Sequence, residues 1–221
     1  KTKLADPEVV GLWQDWFTKQ KESFLFINAL DQDSIKTIIK RSKDILRARS
    51  GTNKEIKMMV LGLPNTGKST IINKLSKRNA TKAAATPGQT KVKLWVKADK
   101  DLKILDTPGV MPPIIQRQIH AMWLSAIHAI PDHIITPEYS ACFLIEHFLK
   151  TKSNVFKDFY KFESLDIDLI TVVEHIGKRR GCLLSGGVYD YEHVYKIILS
   201  DFRKGSLGLT SFERPPTKMT L

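Results

Sequence analysis

Two cysteines, Cys142 and Cys182, are all that 221 residues contain. They are too few for a disulfide framework and lack metal-site spacing, so they read as reduced thiols of an intracellular protein. The six histidines are also scattered without ligand spacing. His120, His128 and His133 fall in a predicted helix and its exit, and read as structural. No apolar run approaches the length of a membrane-spanning helix. There is no internal repeat, no low-complexity tract and no RRM or KH signature. No signal peptide is visible, but the chain opens at Lys1 rather than Met and reads as a fragment or processed form. These absences exclude the disulfide-rich, disordered, collagenous and membrane-spanning classes. At 42% hydrophobic, the chain has enough apolar residues to bury a core, in one sizeable domain or two small ones.

What is present begins with Gly62-Leu63-Pro64-Asn65-Thr66-Gly67-Lys68-Ser69-Thr70, a complete G-x-x-x-x-G-K-S loop. Lys54 to Leu61 reads as the strand leading in, and Thr70 to Leu75 as the helix leading out. That strand–loop–helix context is what a phosphate-binding loop needs. The glycines let backbone N–H groups turn inward on a phosphate chain. Lys68 adds a point charge near the β- and γ-phosphates, and the Ser69 hydroxyl is placed to ligate Mg2+.

The same reading extends along the chain. Pro7 to Lys19 carries apolar residues at helical spacing. Ser23 to Ala29 reads as a short buried strand, and Asp33-Ser34 as the start of a second helix. Arg47 to Lys54 reads as a polar connector. Lys91 to Lys97 and Leu102 to Asp106 read as a hairpin turning at Ala98 to Asp101. Strands alternating with helices predict a doubly wound α/β sheet. After Pro112-Pro113 the pattern becomes helical, with stripes that include Leu165 to Ile176 and Tyr191 to Phe202. The predicted division is 1–113 for the α/β domain and 114–221 for a smaller α-helical domain.

Lys and Arg number 35 against 23 Asp and Glu, a formal charge of +12. A phosphate site uses few of these cations. The excess points to a polyanion, nucleic acid first, with a solubilising lysine-rich surface as the alternative.

Asp106-Thr107-Pro108-Gly109 closes the second hairpin strand. An aspartate there can hold Mg2+ through water, and Gly109 can offer its N–H to a γ-phosphate. Between the motifs lies Thr86-Pro87-Gly88-Gln89-Thr90. Thr90 is the candidate to complete the Mg2+ shell when triphosphate is bound, an order–disorder switch. A simple Pro-Gly turn is the alternative.

GLPNTGKST, TPGQT and DTPGV resemble the first three motifs of translation-factor-related GTPases. In that class the guanine-reading N-K-x-D follows DTPG, and here it does not. Instead Lys1-Thr2-Lys3-Leu4-Ala5-Asp6 resembles such a segment cut after its Asn, and Asn28-Ala29 resembles the base-contacting strand end. The motif order is then 4-5-1-2-3. That order, with Lys178-Arg179-Arg180-Gly181 through Ser185-Gly186-Gly187, and Ser211-Phe212-Glu213-Arg214-Pro215, is similar to the YlqF/RbgA family. These are circularly permuted GTPases of large-ribosomal-subunit assembly. The resemblance covers essentially the whole chain. It also implies an N-terminal stretch carrying the first strands, absent here.

The resemblance implies GTP hydrolysis to GDP and phosphate. Pro64, Asn65, Thr66, Gly67, Lys68, Ser69, Thr70 and Gly109 would hold the phosphates. Lys1, Lys3, Asn28 and Ala29 would lie at the base. Ser69, Thr90 and Asp106 would serve Mg2+, and Asn65 K+. Lys68, Thr90 and Gly109 are the implied catalytic set. Asn65 also reads as a loop residue tolerating unusual backbone geometry. Lys3 stands where a carboxylate reads guanine, and lysine has donors only. That departure keeps an ATPase reading open. Val110 stands where Ras-type enzymes orient water with glutamine, so slow intrinsic turnover with activation by a partner is expected. A nucleotide-gated RNA-binding scaffold with little hydrolysis is the alternative. Lys178, Arg179 and Arg180 are the candidate RNA contacts, with plain helix capping as the alternative. Lys196, Arg203 and Lys204 extend the basic character. The implied partner is the large-subunit precursor with its rRNA. The implied protein is a monomer with no membrane association, in a bacterial cytoplasm or an organellar matrix.

Overall fold

The computed structural model describes residues 4–50, 55–76 and 94–216. Lys1, Lys3, Thr86 and Thr90 lie outside the described residues. The chain divides into two units, 1–113 together with 211–221, and 114–210.

In the first unit, helix α1 (Pro7–Lys19) starts at Asp6, whose carboxylate accepts the Glu8 N–H at 2.9 Å. Pro7 fills the first helical position, where no N–H is needed. The α1 aromatics meet the segment that follows: Phe17 and Phe24 lie 5.4 Å apart, Phe24 and Phe26 5.6 Å. Residues 23–29, expected as a buried strand, take no place in the sheet. Phe24 and Phe26 are absorbed by the α1 aromatic cluster instead, and Leu25 stays 45% exposed.

Helix α2 (Gln32–Ser50) starts earlier than expected because Asp31 is its cap. The Asp31 carboxylate accepts the Ser34 N–H at 2.9 Å and the Ser34 O–H at 2.8 Å. It also absorbs part of the expected connector after Arg47.

Strand β1 (Ile56–Val60) leads through the phosphate-loop motif into helix α3 (Lys68–Ser76). Strands β2 (Leu94–Asp99) and β3 (Leu102–Asp106) form the expected antiparallel hairpin. The sheet order is β1-β3-β2, with β1 and β3 parallel. Ile56, Val96, Leu102 and Ile104 from one sheet face pack with Ile35 of α2 and with Ile72 and Leu75 of α3. Burying such side chains contributes about 1.5–3 kcal/mol each. The opposite face leaves Met59 55% and Trp95 49% exposed. Among the described residues the strands form a small mixed sheet with α2 and α3 on one face, in keeping with the expected α/β class.

Residues from Ser211 onward return to this unit. Ser211 Oγ accepts the Asp6 N–H at 3.1 Å, and the Glu213 carbonyl accepts the Trp13 Nε1–H at 3.3 Å. The sequence pattern grouped this tail with the helices, because a partner 205 residues away leaves no local trace.

The second unit is built from α4 (Gln118–Ala126), α5 (Pro137–Lys150), α6 (Asn154–Tyr160), α7 (Leu169–Arg180) and α8 (Tyr191–Lys204). Leu144, Phe148, Phe156, Val172, Ile176 and Ile198 fill its core, with Phe148 and Phe156 stacked at 4.9 Å. Helix α7 begins later than the predicted stripe, because Asp168 accepts the Thr171 N–H at 2.8 Å and caps it. Between α7 and α8 the chain makes a small hairpin that the helical pattern hid. Leu183 bridges Tyr189, and the Leu184 N–H donates to the Val188 carbonyl at 2.7 Å.

Candidate functional site

The neighbouring parallel strands β1 and β3 end in register, Val60 opposite Asp106. Their carboxyl ends open into the phosphate loop and the DTPG segment, so the topology delivers both motifs to one place. The Thr107 hydroxyl donates to the Val60 carbonyl at 2.5 Å and ties the two strand ends together. Thr107 was not singled out from sequence; its position just past two registered strand ends is the signal that finds it.

The phosphate loop has the backbone its motif demands. Gly62 takes φ 152° and Gly67 φ 102°, and Asn65 is held at φ 56°. Asn65 thus adopts the left-handed geometry that was its alternative reading, a conformation asparagine tolerates better than most residues. Thr66 Oγ1 and Lys68 Nζ both donate to the Leu63 carbonyl, at 2.8 and 2.6 Å. The lysine therefore folds over its own loop. Ser69 and Thr70 sit in the first turn of α3, where N–H groups lack intrahelical acceptors.

The DTPG segment is latched to this loop. The Val110 N–H donates to the Gly62 carbonyl at 3.1 Å. Gly109 lies against Pro64 so closely that an added Cβ would stand 2.7 Å from Pro64 Cγ, 2.8 Å from its N and 2.9 Å from its Cα. Only glycine permits that approach. Pro64, expected among the phosphate contacts, is here the seat for Gly109. The Val110 side chain is 56% exposed and carries no polar group.

Asp106 is the most unusual group of the site. It is 1% exposed, and neither carboxylate oxygen accepts a well-formed hydrogen bond from the described residues, the Thr107 N–H reaching it only weakly. Burial pushes its pKa up, opposed by the Lys68 charge and the Thr107 backbone. Burial pushes the Lys68 ammonium down, opposed by Asp106. A buried carboxylate without donors is costly unless a cation or ordered water completes it. This donor set suits a hard divalent cation bound through water.

Asn28 and Ala29, expected at the base, lie in the turn entering α2. The Asn28 carboxamide oxygen accepts the Leu30 N–H at 3.1 Å, and the Asn28 N–H donates to Ser34 Oγ at 3.3 Å. The expected site residues Lys1, Lys3 and Thr90 lie outside the described residues, and among the described ones the geometry brings together the phosphate loop, Asp106 and Gly109.

The candidate RNA contacts separate. Lys178 and Arg179 are exposed on the last turn of α7. Arg180 is committed elsewhere: its Nη2 donates to Asp201 Oδ2 at 2.6 Å, and its guanidinium lies over the Phe159 and Tyr160 rings. The Tyr160 hydroxyl donates to the same Asp201 oxygen at 3.0 Å, and burial with Asp201 pushes its pKa far up. Arg203 likewise leaves the basic surface, donating to the Ala126 and Ser125 carbonyls at 2.9 and 3.1 Å. Arg180→Ala is therefore expected to destabilise the fold by about 2–4 kcal/mol, since it strips a largely buried aspartate of its cation. Lys178→Ala is expected to change stability by less than about 0.5 kcal/mol. Urea denaturation of the two variants checks the contrast.

No group of three or more His, Cys, Asp or Glu among the described residues is placed to hold a metal ion. His120 lies 5.0 Å from the Trp123 ring, and His128 faces Asp132 at 3.6 Å.

The family model described as 50S ribosome-binding GTPase matches residues 57–175. The chain is 34% identical to Ribosome biogenesis GTPase A of Bacillus pumilus, over 97% of this chain and 79% of that protein. It is 32% identical to the protein of that name from Bacillus licheniformis, over 97% of this chain and 78% of that one. The structure of GNP-bound YlqF from T. maritima is similar at TM-score 0.61 and 26% identity, over 97% of this chain and 78% of that one. With the phosphate loop latched to the DTPG segment and the family match spanning more than half the sequence, the chain belongs to the 50S ribosome-binding GTPase family and is a P-loop GTP hydrolase.

Proposed function

We propose that this protein binds the nascent large ribosomal subunit and hydrolyses GTP to GDP and phosphate during its assembly, with the particle as activator. The relatives named for ribosome biogenesis support the process. The observation that carries the site chemistry is the orphaned Asp106 carboxylate beside Lys68. The motif order is that of a permuted GTPase, with the base-side segment before α1 and the phosphate side after α2.

In this reading Lys68 leaves the Leu63 carbonyl and neutralises the β/γ-phosphate charge, with the loop N–H groups. Ser69 and Thr90 would ligate Mg2+, and Asp106 would hold it through water; the ion supplies charge neutralisation of the phosphates. Gly109 offers its N–H to the γ-phosphate from its seat on Pro64. Asn65 is the candidate ligand for K+. At the base, Asn28 and Ala29 contribute backbone groups, and Lys1 and Lys3 lie beside them. Val110 provides no carboxamide to orient water, so the rate depends on a group brought from outside. The helical unit supplies rRNA contacts through Lys178 and Arg179. The protein works as a monomer where ribosomes are assembled, a bacterial cytoplasm or an organellar matrix. No helix among the described residues is long and apolar enough to cross a membrane.

The test is GTP turnover by the full-length protein in potassium buffer, with and without large ribosomal subunits, and with ATP as control. Strong stimulation by subunits, for GTP only, is expected. Near-zero turnover in both conditions would replace this reading with the nucleotide-gated scaffold, which the apolar Val110 favours.

A further inference from the structure

On the reading above in which Asp106 serves Mg2+, we propose that Thr107 is a positioning residue of the reaction. Its hydroxyl, bonded to the Val60 carbonyl, holds the Asp106 carboxylate where the Mg2+ of the bound nucleotide needs it.

The chain leaves β3 under tight backbone constraints. Val60 and Asp106 are the last paired residues of β1 and β3. Pro108 has no N–H, so a backbone ladder cannot continue through it. The proline also restricts Thr107 to extended geometry. The Thr107 side chain makes the next link in place of the backbone. Its hydroxyl donates to the Val60 carbonyl at 2.5 Å, and the residue is 5% exposed. Further on, the Val110 N–H donates to the Gly62 carbonyl at 3.1 Å. The DTPG segment is therefore fastened at two points, to the end of β1 and to the start of the phosphate loop. The second is a backbone bond that any residue but proline supplies at position 110. The first exists only because residue 107 carries a hydroxyl.

That first fastening governs Asp106. The Thr107 N–H belongs to the peptide that joins it to Asp106, and it reaches the Asp106 carboxylate weakly. One residue thus grips β1 with its side chain and the carboxylate with its backbone. A β-branched side chain has few rotamers, so anchoring its hydroxyl restrains the backbone that carries it. Asp106 has no well-formed hydrogen bond of its own among the described residues, and the Lys68 charge attracts it without fixing a direction. Its orientation therefore depends on the backbone beneath it. Mg2+ demands near-octahedral geometry and keeps several waters, so a carboxylate that reaches it through water must be accurately placed. Groups that orient such a carboxylate change metal affinity without touching the metal. A hydroxyl that merely satisfied a buried carbonyl would have a different signature: lower stability, with the Mg2+ dependence unmoved.

The test uses the full-length protein. Thr107→Val keeps the shape and removes the hydroxyl, Thr107→Ala removes it with less bulk, and Thr107→Ser keeps it. The valine and alanine changes are also combined with Asp106→Asn. Binding of a fluorescent, non-hydrolysable GTP analogue is titrated with Mg2+ and repeated in EDTA, with GTP turnover alongside. Thermal melts verify that each variant is folded at the assay temperature. Thr107→Val and Thr107→Ala are expected to raise the Mg2+ concentration for half-saturation roughly tenfold, with affinity in EDTA unchanged. Thr107→Ser is expected to restore the original Mg2+ dependence. In the Asp106→Asn background, loss of the hydroxyl adds nothing to the Mg2+ shift, because the group it positions is gone. Unmoved half-saturation in the valine and alanine variants overturns the proposal and leaves the hydroxyl a structural role. A serine variant as impaired as the valine one, or shifts that add in the double variants, overturns it equally. An Asp106→Asn variant with unaltered Mg2+ dependence refutes the reading on which the proposal rests, a result obtained before Thr107 is touched.

Discussion

Asp106→Asn is expected to raise the melting temperature of the nucleotide-free protein while lowering Mg2+-dependent GTP turnover by roughly 10²- to 10³-fold. The two effects share one cause. The buried carboxylate has no well-formed hydrogen bond among the described residues, and the Lys68 charge and the Thr107 backbone offset its desolvation only in part. Removing the carboxylate charge is expected to stabilise the fold by about 1–3 kcal/mol, or a few degrees in a chain of this size. The pH dependence gives an independent check. The folded-state pKa lies above the ordinary carboxylate value of 3.8, so the folded protein holds the proton more tightly than the unfolded chain does. Stability from this group is present in full below that value and is lost as pH rises through the folded pKa. The asparagine variant should lack this loss. Calorimetric melts from acid to neutral pH, with and without Mg2+ and nucleotide, measure it. A variant that melts lower than the original at neutral pH would show that Asp106 is satisfied by a partner in solution.

Gly109→Ala is the second large effect. The added methyl meets Pro64 Cγ at 2.7 Å, but also Pro64 N and Cα at 2.8 and 2.9 Å. A side-chain clash relaxes by rotation; a backbone clash requires the phosphate loop or the DTPG segment to move. The Val110 N–H bond to the Gly62 carbonyl moves with them. We expect a stability loss of about 1–3 kcal/mol and turnover reduced by roughly 10²-fold. Because the backbone atoms are nearly as close as Cγ, adding Pro64→Ala should not restore turnover. Rescue by that second substitution would show that the clash is with the proline ring alone. Single-turnover GTP hydrolysis and thermal melts of the single and double variants give the answer.

The phosphate loop was legible because its glycines, lysine and serine encode one local geometry, and the hairpin of β2 and β3 because alternation and a polar turn encode another. Asp106 and Gly109 were legible by motif. What made them chemically distinctive was not: the orphaned carboxylate and the Pro64 packing depend on strands meeting in register. Arg180 looked like its neighbours Lys178 and Arg179, and only Asp201, 21 residues on, sets it apart. Arg203 was drawn from the basic surface by carbonyls 77 and 78 residues back. Residues 23–29 had the apolar density of a strand, but hydropathy does not say whether a neighbour or an aromatic cluster absorbs it. The Leu183–Tyr189 finger was too short for a strand signal and lay between strong helices.

The tail that returns to α1 bears on how the chain acquires its form. The first unit is interrupted, not followed, by the helical one, and its last hydrogen bonds join residues 205 positions apart. At about 5–20 residues per second of synthesis, Asp6 waits roughly 10–40 s for Ser211. The entropy of closing so long a loop grows only with the logarithm of its length, so the wait costs time more than stability. The helical unit lacks its last helix and Leu207 until a few residues before Ser211, so both units are completed by the same final stretch of chain. The sheet unit passes the whole interval with its first helix unfastened from the tail.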